Sequence, residues 1–547
     1  MFEPKQRTSA QSTMRSLVFL IAAFAIILGC AARFDHLGSR LLWQDEAFSM
    51  LRITGHTEAD LYGAFDGRVK PVATFLALDR LSPHLGLGAT FASLREEPQR
   101  GPVFYGAARI WAGFVGDGTP AMRVLSALLG LLGIALAFAL GRELAPGGGP
   151  LLAALVALSP IEIHFAQQIR EYVAIADATL LSSWLLLLSQ RTGGIWRWSS
   201  YGIALVIGLY ISPIFLTVLL GHAVVVAGAA RRDGLRAAIP WLATTTAAFV
   251  AFAPWFAESL LASRGHAGDL AWLHGGYTAR AYATKWIFNV GAVFFDAEFA
   301  RTSLGVLLAP VFAIIVIAFF GFSRRSYDML PALLAIGLSF CALVPLVVLD
   351  AIGGSHVQAV ARYQMPTWIG IDIIVTLMLA RGIAGAPRDR AFAIGTFAFL
   401  VACGAFSIAS ARHAPVWWDD NEHVDEQLAS SVITRHPMPA LVVASDADSR
   451  APYALVLSHY LPRSTKLLLF SGVVPPSFEH SGSTYLFLPS QTELAAVRQG
   501  LDRGRLLRDV SPPLGIAIQN LTERGTHDSL ATIRPDNLLW LVSPEKI

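Results

Sequence analysis

The sequence predicts a polytopic α-helical membrane protein of about eleven spans, within a range of ten to thirteen, followed by a C-terminal soluble α/β domain. Three observations predict it. First, 54% of the 547 residues are hydrophobic and only 15% are charged, whereas soluble domains carry about 25% charged residues. The mean hydropathy of +0.53 agrees. Second, the apolar residues fall in long uninterrupted blocks. Third, the pattern changes near residue 411 to short apolar runs separated by polar turns.

A membrane helix needs about 20 apolar residues. Candidate spans lie near 17–33, 120–141, 150–163, 172–189, 197–211, 213–230, 237–256, 303–322, 329–350, 363–381 and 390–410. Charge asymmetry orients them. With the N-terminus in the cytoplasm, the short inner loops receive Arg142; Arg191 and Arg197; Arg231, Arg232 and Arg236; Arg324 and Arg325; and Arg381, Arg388 and Arg390. That is the positive-inside pattern. The outer side then receives the longer segments 34–119, 257–302, 351–362 and 411–547. The implied organisation is a cytoplasmic N-terminus over 1–16, a transmembrane domain over 17–410 that includes the outer loop 34–119, and an extracytoplasmic α/β domain over 411–547.

Each region carries further expectations. Lys5, Arg7 and Arg15 precede an apolar run with Leu28-Gly29-Cys30 near its end, which is compatible with a cleaved leader; an uncleaved first helix is the simpler reading. Cys30, Cys341 and Cys403 sit in separate apolar runs, so no disulfide framework or metal cluster is indicated. The net charge of +3 gives no nucleic-acid footprint. Residues 71–83 and 102–116 read as juxtamembrane helices, with Trp111 and Phe114 at interfacial depth. In the tail, strands are expected at Ala440–Ala444, Lys466–Phe470, Thr484–Leu488, Gly515–Gln519 and Asn537–Val542, and helices at 451–461 and 491–500.

Four constellations could carry chemistry. Trp43-Gln44-Asp45-Glu46-Ala47 follows the first span on the outer side. Two adjacent carboxylates there can supply a general base and a metal ligand, although such pairs also serve as helix caps. Ser159-Pro160 is followed by His164, Gln167, Gln168, Arg170, Glu171 and Tyr172. On a helix, Gln167, Arg170 and Glu171 would share one face, and Arg170 could grip a phosphate with paired hydrogen bonds or simply pair with Glu171. Arg362-Tyr363 opens the tenth span, as a second phosphate clamp or a snorkelling anchor. The segment 257–302 holds Arg264, His266, Asp269, His274, Arg280, Lys285, Asp296 and Glu298, with no spacing that singles one out. Asp446, Asp448 and the Asn520-Leu521-Thr522 sequon are read as turn and chance features.

These motifs stand in a familiar order. Trp43–Ala47 follows the first span. Gly101-Pro102-Val103-Phe104-Tyr105 comes next, then Arg123 opening a span, Leu158-Ser159-Pro160, Gln167-x-x-Arg170-x-Tyr172 and Arg362-Tyr363. Over about residues 15–410 the chain resembles the GT-C superfamily, in particular the protein O-mannosyltransferase and aminoarabinose-transferase branch of family 39-like bacterial glycosyltransferases. The resemblance implies a GT-C transmembrane fold, a polyprenyl-phosphate sugar donor and an inverting transfer on the periplasmic face of the bacterial inner membrane. Asp45 matches the catalytic acidic position and Glu46 its neighbour. Arg170, Tyr172, Arg362 and Tyr363 match positions near the lipid phosphate. Many relatives have His-Pro-Pro-Leu-Tyr-Tyr where this chain has Arg100 to Tyr105, so Arg100 stands in place of a histidine.

The expected site is therefore Asp45 and Glu46 as catalytic groups and holders of a divalent cation, Mg or Mn. Gln167, Arg170, Tyr172, Arg362, Tyr363, Arg100, Tyr105 and Lys285 are expected on the substrates. The partners are a polyprenyl-phosphate-linked sugar and a glycolipid, polysaccharide or protein acceptor. The alternatives are a lipid-linked carbohydrate transporter or polymerase, and a scaffold whose tail is a binding module. Span interiors that read as mostly apolar favour the enzyme over the transporter.

Overall fold

The computed structural model describes residues 4–97, 99–262, 278–296, 307–323, 328–412, 424–435, 440–445, 451–472, 483–500, 505–509 and 539–544. The chain divides into two compact units. The first comprises Met1–Leu37, Glu97–Phe104 and Arg123–His413; the second comprises Gly38–Glu96, Tyr105–Met122 and Ala414–Ile547.

The first unit is helical. Among the described residues, eight helices are long and apolar enough to cross a membrane: Ser16–Phe34, Thr119–Leu144, Tyr172–Thr192, Pro213–Asp233, Leu235–Leu261, Met329–Gly353, Ala361–Ala384 and Pro387–Ala411. Every one of the eleven expected spans falls on a helix, but three of them are short. The expected span 150–163 is the helix Gly148–Leu158, which stops at the Ser159-Pro160 break. The expected spans 197–211 and 303–322 are the helices Ile195–Ile211 and Leu308–Ser323. Tyr172–Thr192 and Ala361–Ala384 are the most enclosed, with 78% and 72% of their apolar windows buried, against 17% for Leu235–Leu261. The first two therefore form the centre of the bundle and the third its periphery.

Apolar side chains gain nothing by leaving lipid for a helix interface, so membrane helices are joined by close packing and polar contacts. Both appear here. A Cβ on Gly29 would stand 2.1 Å from the Ala157 carbonyl oxygen. A Cβ on Gly337 would stand 2.5 Å from the Gly221 carbonyl oxygen. His222 adds a polar stitch: its Nε2 meets the Ser183 hydroxyl at 3.1 Å and its Nδ1 the Tyr201 hydroxyl at 2.9 Å, while Trp241 donates to Tyr201 at 3.0 Å. One buried imidazole thus links Tyr172–Thr192 and Ile195–Ile211 to Leu216–Asp233 and Ile239–Ala262.

The second unit is built on a six-stranded sheet. Its strands are β1 Asp66–Pro71, β2 Leu441–Ser445, β3 Lys466–Phe470, β4 Thr484–Phe487, β5 Arg505–Asp509 and β6 Leu539–Pro544, in the order β1-β3-β2-β4-β6-β5. β2 runs parallel to β3 and β4, and the outer pairings are antiparallel. Alternate residues of the central strands enter different cores. Val442, Ala444, Leu467, Leu469 and Tyr485 pack with Leu51, Leu61 and Leu455. Leu441, Val443, Leu468, Phe470 and Leu486 pack with Leu494 and Val497. Both faces are covered, as a parallel centre requires.

The tail strands at 441–445, 466–470 and 484–487 and the helices Ala451–Tyr460 and Gln491–Gly500 lie where the pattern predicts them. The expected strand Gly515–Gln519 lies outside the described residues. Two strands escape the pattern, β5 and β1. β1 reads Asp-Gly-Arg-Val-Lys-Pro, a charged edge strand with little apolar signal. Its antiparallel pairing with β3 is one reason that residues 38–96 and 105–122, grouped with the spanning helices in the sequence reading, cluster with the tail. The expected helix 71–83 is shorter, Val72–Leu76 with a 3-10 turn Ala77–Asp79, and 102–116 is the helix Pro102–Val115.

Gly29→Val would drive a branched side chain into the Ala157 carbonyl and cost about 2 kcal/mol or more. The melting temperature of the detergent-solubilised protein should fall clearly, while Ile27→Val, at a position 69% exposed, should leave it unchanged.

Candidate active site

The acidic pair opens the helix Gln44–Thr54 of the second unit. Carboxylates in a first turn face the positive end of the helix dipole. Glu46 is 1% exposed, and its Oε2 accepts a hydrogen bond from the Trp43 backbone N–H at 3.2 Å, the reach-back half of a capping box. Asp45 is half-buried, and its carbonyl oxygen accepts from the Ser49 hydroxyl at 2.8 Å. The local fold therefore gives the two acids different work: Glu46 holds the helix entry, and Asp45 stands one position ahead of it.

The rest of the unit pins this helix. Arg52, wholly buried, pairs with Glu58 at 3.0 Å and Glu96 at 2.9 Å. Arg109 donates to the Ile53 and Thr54 carbonyls at the helix C-terminus and to Leu85 O. Tyr105 is fully buried in the core. Asp79 and His459 pair at 2.8 Å.

In the first unit, the break after Leu158 builds the second candidate. Pro160 starts a short helix, Pro160–Phe165, and residues 166–171 form turns and bends before the helix Tyr172–Thr192 begins. The expected single helical face of Gln167, Arg170 and Glu171 is absent, because the chain is not helical there. Instead, Gln167 donates to the carbonyls of Ala32 at 2.6 Å and Asp35 at 3.0 Å. Gln168 meets His164 at 3.0 Å. Arg170 turns onto Tyr172: its Nη2 donates to the Tyr172 hydroxyl at 2.7 Å, and its guanidinium carbon lies 5.1 Å from the ring centre. Glu171 follows at 3.7 Å from Arg170 Nε.

Arg362 likewise lies over a ring, with its guanidinium carbon 5.3 Å from the Tyr363 ring centre. The Tyr172 hydroxyl lies within electrostatic range of Arg170, Arg362, Glu171 and Tyr363. Two arginine–tyrosine pairs from separate motifs thus lie in one unit, within electrostatic range of each other. Two guanidiniums, each stacked on a tyrosine ring and one also bonded to a phenol hydroxyl, suit a phosphate dianion. Lys285 is half-buried on the helix Ala279–Gly291. Its neighbour Trp286 donates to the Gln358 side chain at 2.6 Å. Arg100 is 8% exposed and pairs with Glu97. Arg264, His266, Asp269, His274, Glu298, Asp446, Asp448 and the sequon lie outside the described residues.

The metal expectation finds little support in the donor set. Among the described residues, no three His, Cys, Asp or Glu side chains stand together to hold an ion, and Glu46 is engaged with the Trp43 N–H.

Sequence reasoning missed a set of buried polar groups in the first unit. Arg33, Glu162, Asp177 and Asp372 are 1%, 4%, 7% and 0% exposed. Glu162 lies within electrostatic range of the other three. Asp177 and Asp372 lie inside apolar helices, five and seven residues in from Tyr172 and Met365. The expectation of apolar span interiors fails at these positions. An ionisable residue inside an apolar run was the available signal.

No family model matches the chain, and no curated protein matches it in sequence. Solved structures do. ArnT from Cupriavidus metallidurans bound to undecaprenyl phosphate aligns at 12% identity with a TM-score of 0.51, over 96% of this chain and 97% of that one. The same protein in its apo state aligns at 14% identity and a TM-score of 0.41, over 88% and 94%. The oligosaccharyltransferase AglB from Archaeoglobus fulgidus, in complex with an inhibitory peptide and a dolichol-phosphate, aligns at 12% and 0.45, over 82% of this chain and 64% of that one.

Replacing Arg33 by Met would strip a buried cation from its carbonyl and carboxylate neighbours, at a cost of about 3 kcal/mol or more. Arg33→Lys should recover only part of the loss, since an ammonium lacks the fork. Thermal unfolding in detergent should rank wild type above Lys and Lys above Met.

Proposed function

We propose that this chain, a multi-pass membrane protein of GT-C fold, transfers a sugar from a polyprenyl-phosphate donor to an acceptor hydroxyl, with inversion, on the periplasmic face of a bacterial inner membrane. The observation that carries the reading is the convergence of Arg170, Tyr172, Arg362 and Tyr363 within the spanning unit. The structure of similar fold that holds undecaprenyl phosphate supports it.

In this reading Asp45 is the general base. It accepts the proton of the acceptor hydroxyl as that oxygen attacks the anomeric carbon, and the bond from that carbon to the phosphate oxygen breaks in the same displacement. The leaving lipid phosphate gains negative charge, which Arg170 and Arg362 offset electrostatically. The Tyr172 hydroxyl keeps the Arg170 guanidinium in place. Glu46 supports Asp45 by holding the helix start. Among the described residues no three His, Cys, Asp or Glu side chains stand together, and no step is assigned to an ion.

One observation favours a second reading, movement of a lipid-linked carbohydrate through the bundle. Arg33, Glu162, Asp177 and Asp372 place ionisable groups inside the helical unit, where transporters also keep them.

Asp45→Asn should lower transfer from a radiolabelled polyprenyl-phosphate sugar to a membrane-lipid extract by about 10²–10⁴-fold, with unchanged expression and melting temperature. Full turnover in this variant rules Asp45 out as the base. Arg170→Met should act on donor affinity instead, raising KM at least about tenfold with a smaller change in kcat. Label crossing sealed vesicles without transfer would favour the transport reading.

A further inference from the structure

The segment between Asp350 and Tyr363 is tied far more densely than a connection of its length needs. Asp350 lies at the end of the helix Leu343–Gly353 and is 9% exposed. Its Oδ1 accepts from the Ser355 hydroxyl at 2.5 Å and the Val357 N–H at 2.9 Å, and its Oδ2 accepts from the Gln358 N–H at 2.9 Å. Its own carbonyl accepts from the Gly354 N–H at 2.8 Å, where Gly354 has a φ of +66°. One buried carboxylate therefore gathers three donors from three residues and folds the loop around itself.

The groups that this folding turns outward meet the helix Ala279–Gly291. Tyr282 donates to Ser355 O at 3.3 Å, Trp286 to the Gln358 side-chain oxygen at 2.6 Å, and Asn289 to Ala359 O at 2.9 Å. Tyr282, Trp286 and Asn289 are spaced i, i+4 and i+7, one stripe of the helix. Lys285 immediately precedes Trp286. On the far side, Gln364 donates to Gln358 O at 3.1 Å and Trp368 to Ala361 O at 3.0 Å. Trp286 and Trp368 meet edge to face at 6.2 Å. The loop reaches Arg362 with its preceding residues held from three directions.

We propose that Asp350 is a positioning residue for the donor phosphate: by folding residues 354–360 against the Tyr282–Trp286–Asn289 stripe, it sets Arg362 and Lys285 at a fixed spacing for one lipid-linked phosphate. The proposal rests on the donor reading given above. It assigns Asp350 no contact with substrate; the carboxylate acts through the loop. A loop that served only to close the chain would affect stability alone.

The test uses the full chain in detergent and undecaprenyl phosphate as the probe. Affinity, kcat and KM with the sugar donor, and melting temperature are measured for wild type, Asp350→Ala, Asp350→Asn and Trp286→Phe. Gly337→Val, whose added side chain would meet the Gly221 carbonyl, serves as a variant destabilised elsewhere. Asp350→Ala should weaken phosphate binding at least about tenfold and raise KM far more than it lowers kcat. Asp350→Asn keeps an acceptor for Ser355 and Val357 but not for Gln358, so its loss should be intermediate. Trp286→Phe keeps the aromatic packing, removes one tie and should also weaken binding, which covers a failure of Asp350→Ala to fold. Undiminished affinity in the folded Asp350 or Trp286 variants overturns the proposal, as do losses no larger than those of Gly337→Val at equal destabilisation. If wild type itself does not bind undecaprenyl phosphate, the donor reading falls and the positioning role falls with it. If wild type binds and the variants bind equally, only the positioning role falls.

Discussion

The buried guanidinium of Arg33 carries the arrangement of the spanning unit. The helix Gly148–Leu158 ends inside the protein, and its last carbonyls have no partners of their own in the helix. In a bilayer such groups must be satisfied by protein. Arg33 donates to Val156 O at 3.0 Å and to Ala157 O at 2.7 Å, and also to Gly29 O in its own helix at 2.9 Å. Gly29 and Gly130 make the approach possible, since a Cβ on either would collide with Ala157 O or with Arg33 itself. Gln167 completes the joint by donating to Ala32 O and Asp35 O. The turn that presents Arg170 is thus suspended from the end of the first helix. A cation is a costly way to cap a buried helix end, and Glu162 in its electrostatic range offsets part of that cost.

The same economy explains what could be read from the sequence. The apolar blocks were legible because membrane helices need long uninterrupted stretches, and among the described residues each expected span overlaps a helix. The arginine–tyrosine motifs were legible because charged residues beside apolar runs are rarely idle. Their convergence was not legible: Arg170 and Arg362 are 192 positions apart in number and come together only through tertiary packing. The shared helical face of Gln167, Arg170 and Glu171 is absent, since the helix expected over 166–171 gives way to turns. β1 was invisible for a different reason. Half of its residues are charged, and only its pairing with β3 defines it as a strand. The sequence left Glu46 open between chemistry and a helix cap, and the cap is visible only through one backbone hydrogen bond.

The chemistry follows from a division of labour between rigid parts. Donor recognition in this account belongs to guanidiniums held by phenol rings and by the tightly tied loop before Arg362. Acceptor activation in the proposed reading falls to Asp45, on a short helix that Arg52, Arg109 and Glu46 hold at both ends. The acids inside the bundle, Asp177 and Asp372, have no part in this scheme. They are also the residues that keep transport in view as a competing use of the same fold.

The central claim is that the spanning unit recognises the phosphate of a polyprenyl lipid. The most direct measurement compares binding of undecaprenyl phosphate and of uncharged undecaprenol to the purified wild-type protein, by native mass spectrometry in a single detergent. The account predicts strong preference for the phosphate, largely lost in an Arg170→Met, Arg362→Met double variant that still folds. Equal binding of the two lipids, or a preference that survives the double variant, would contradict it.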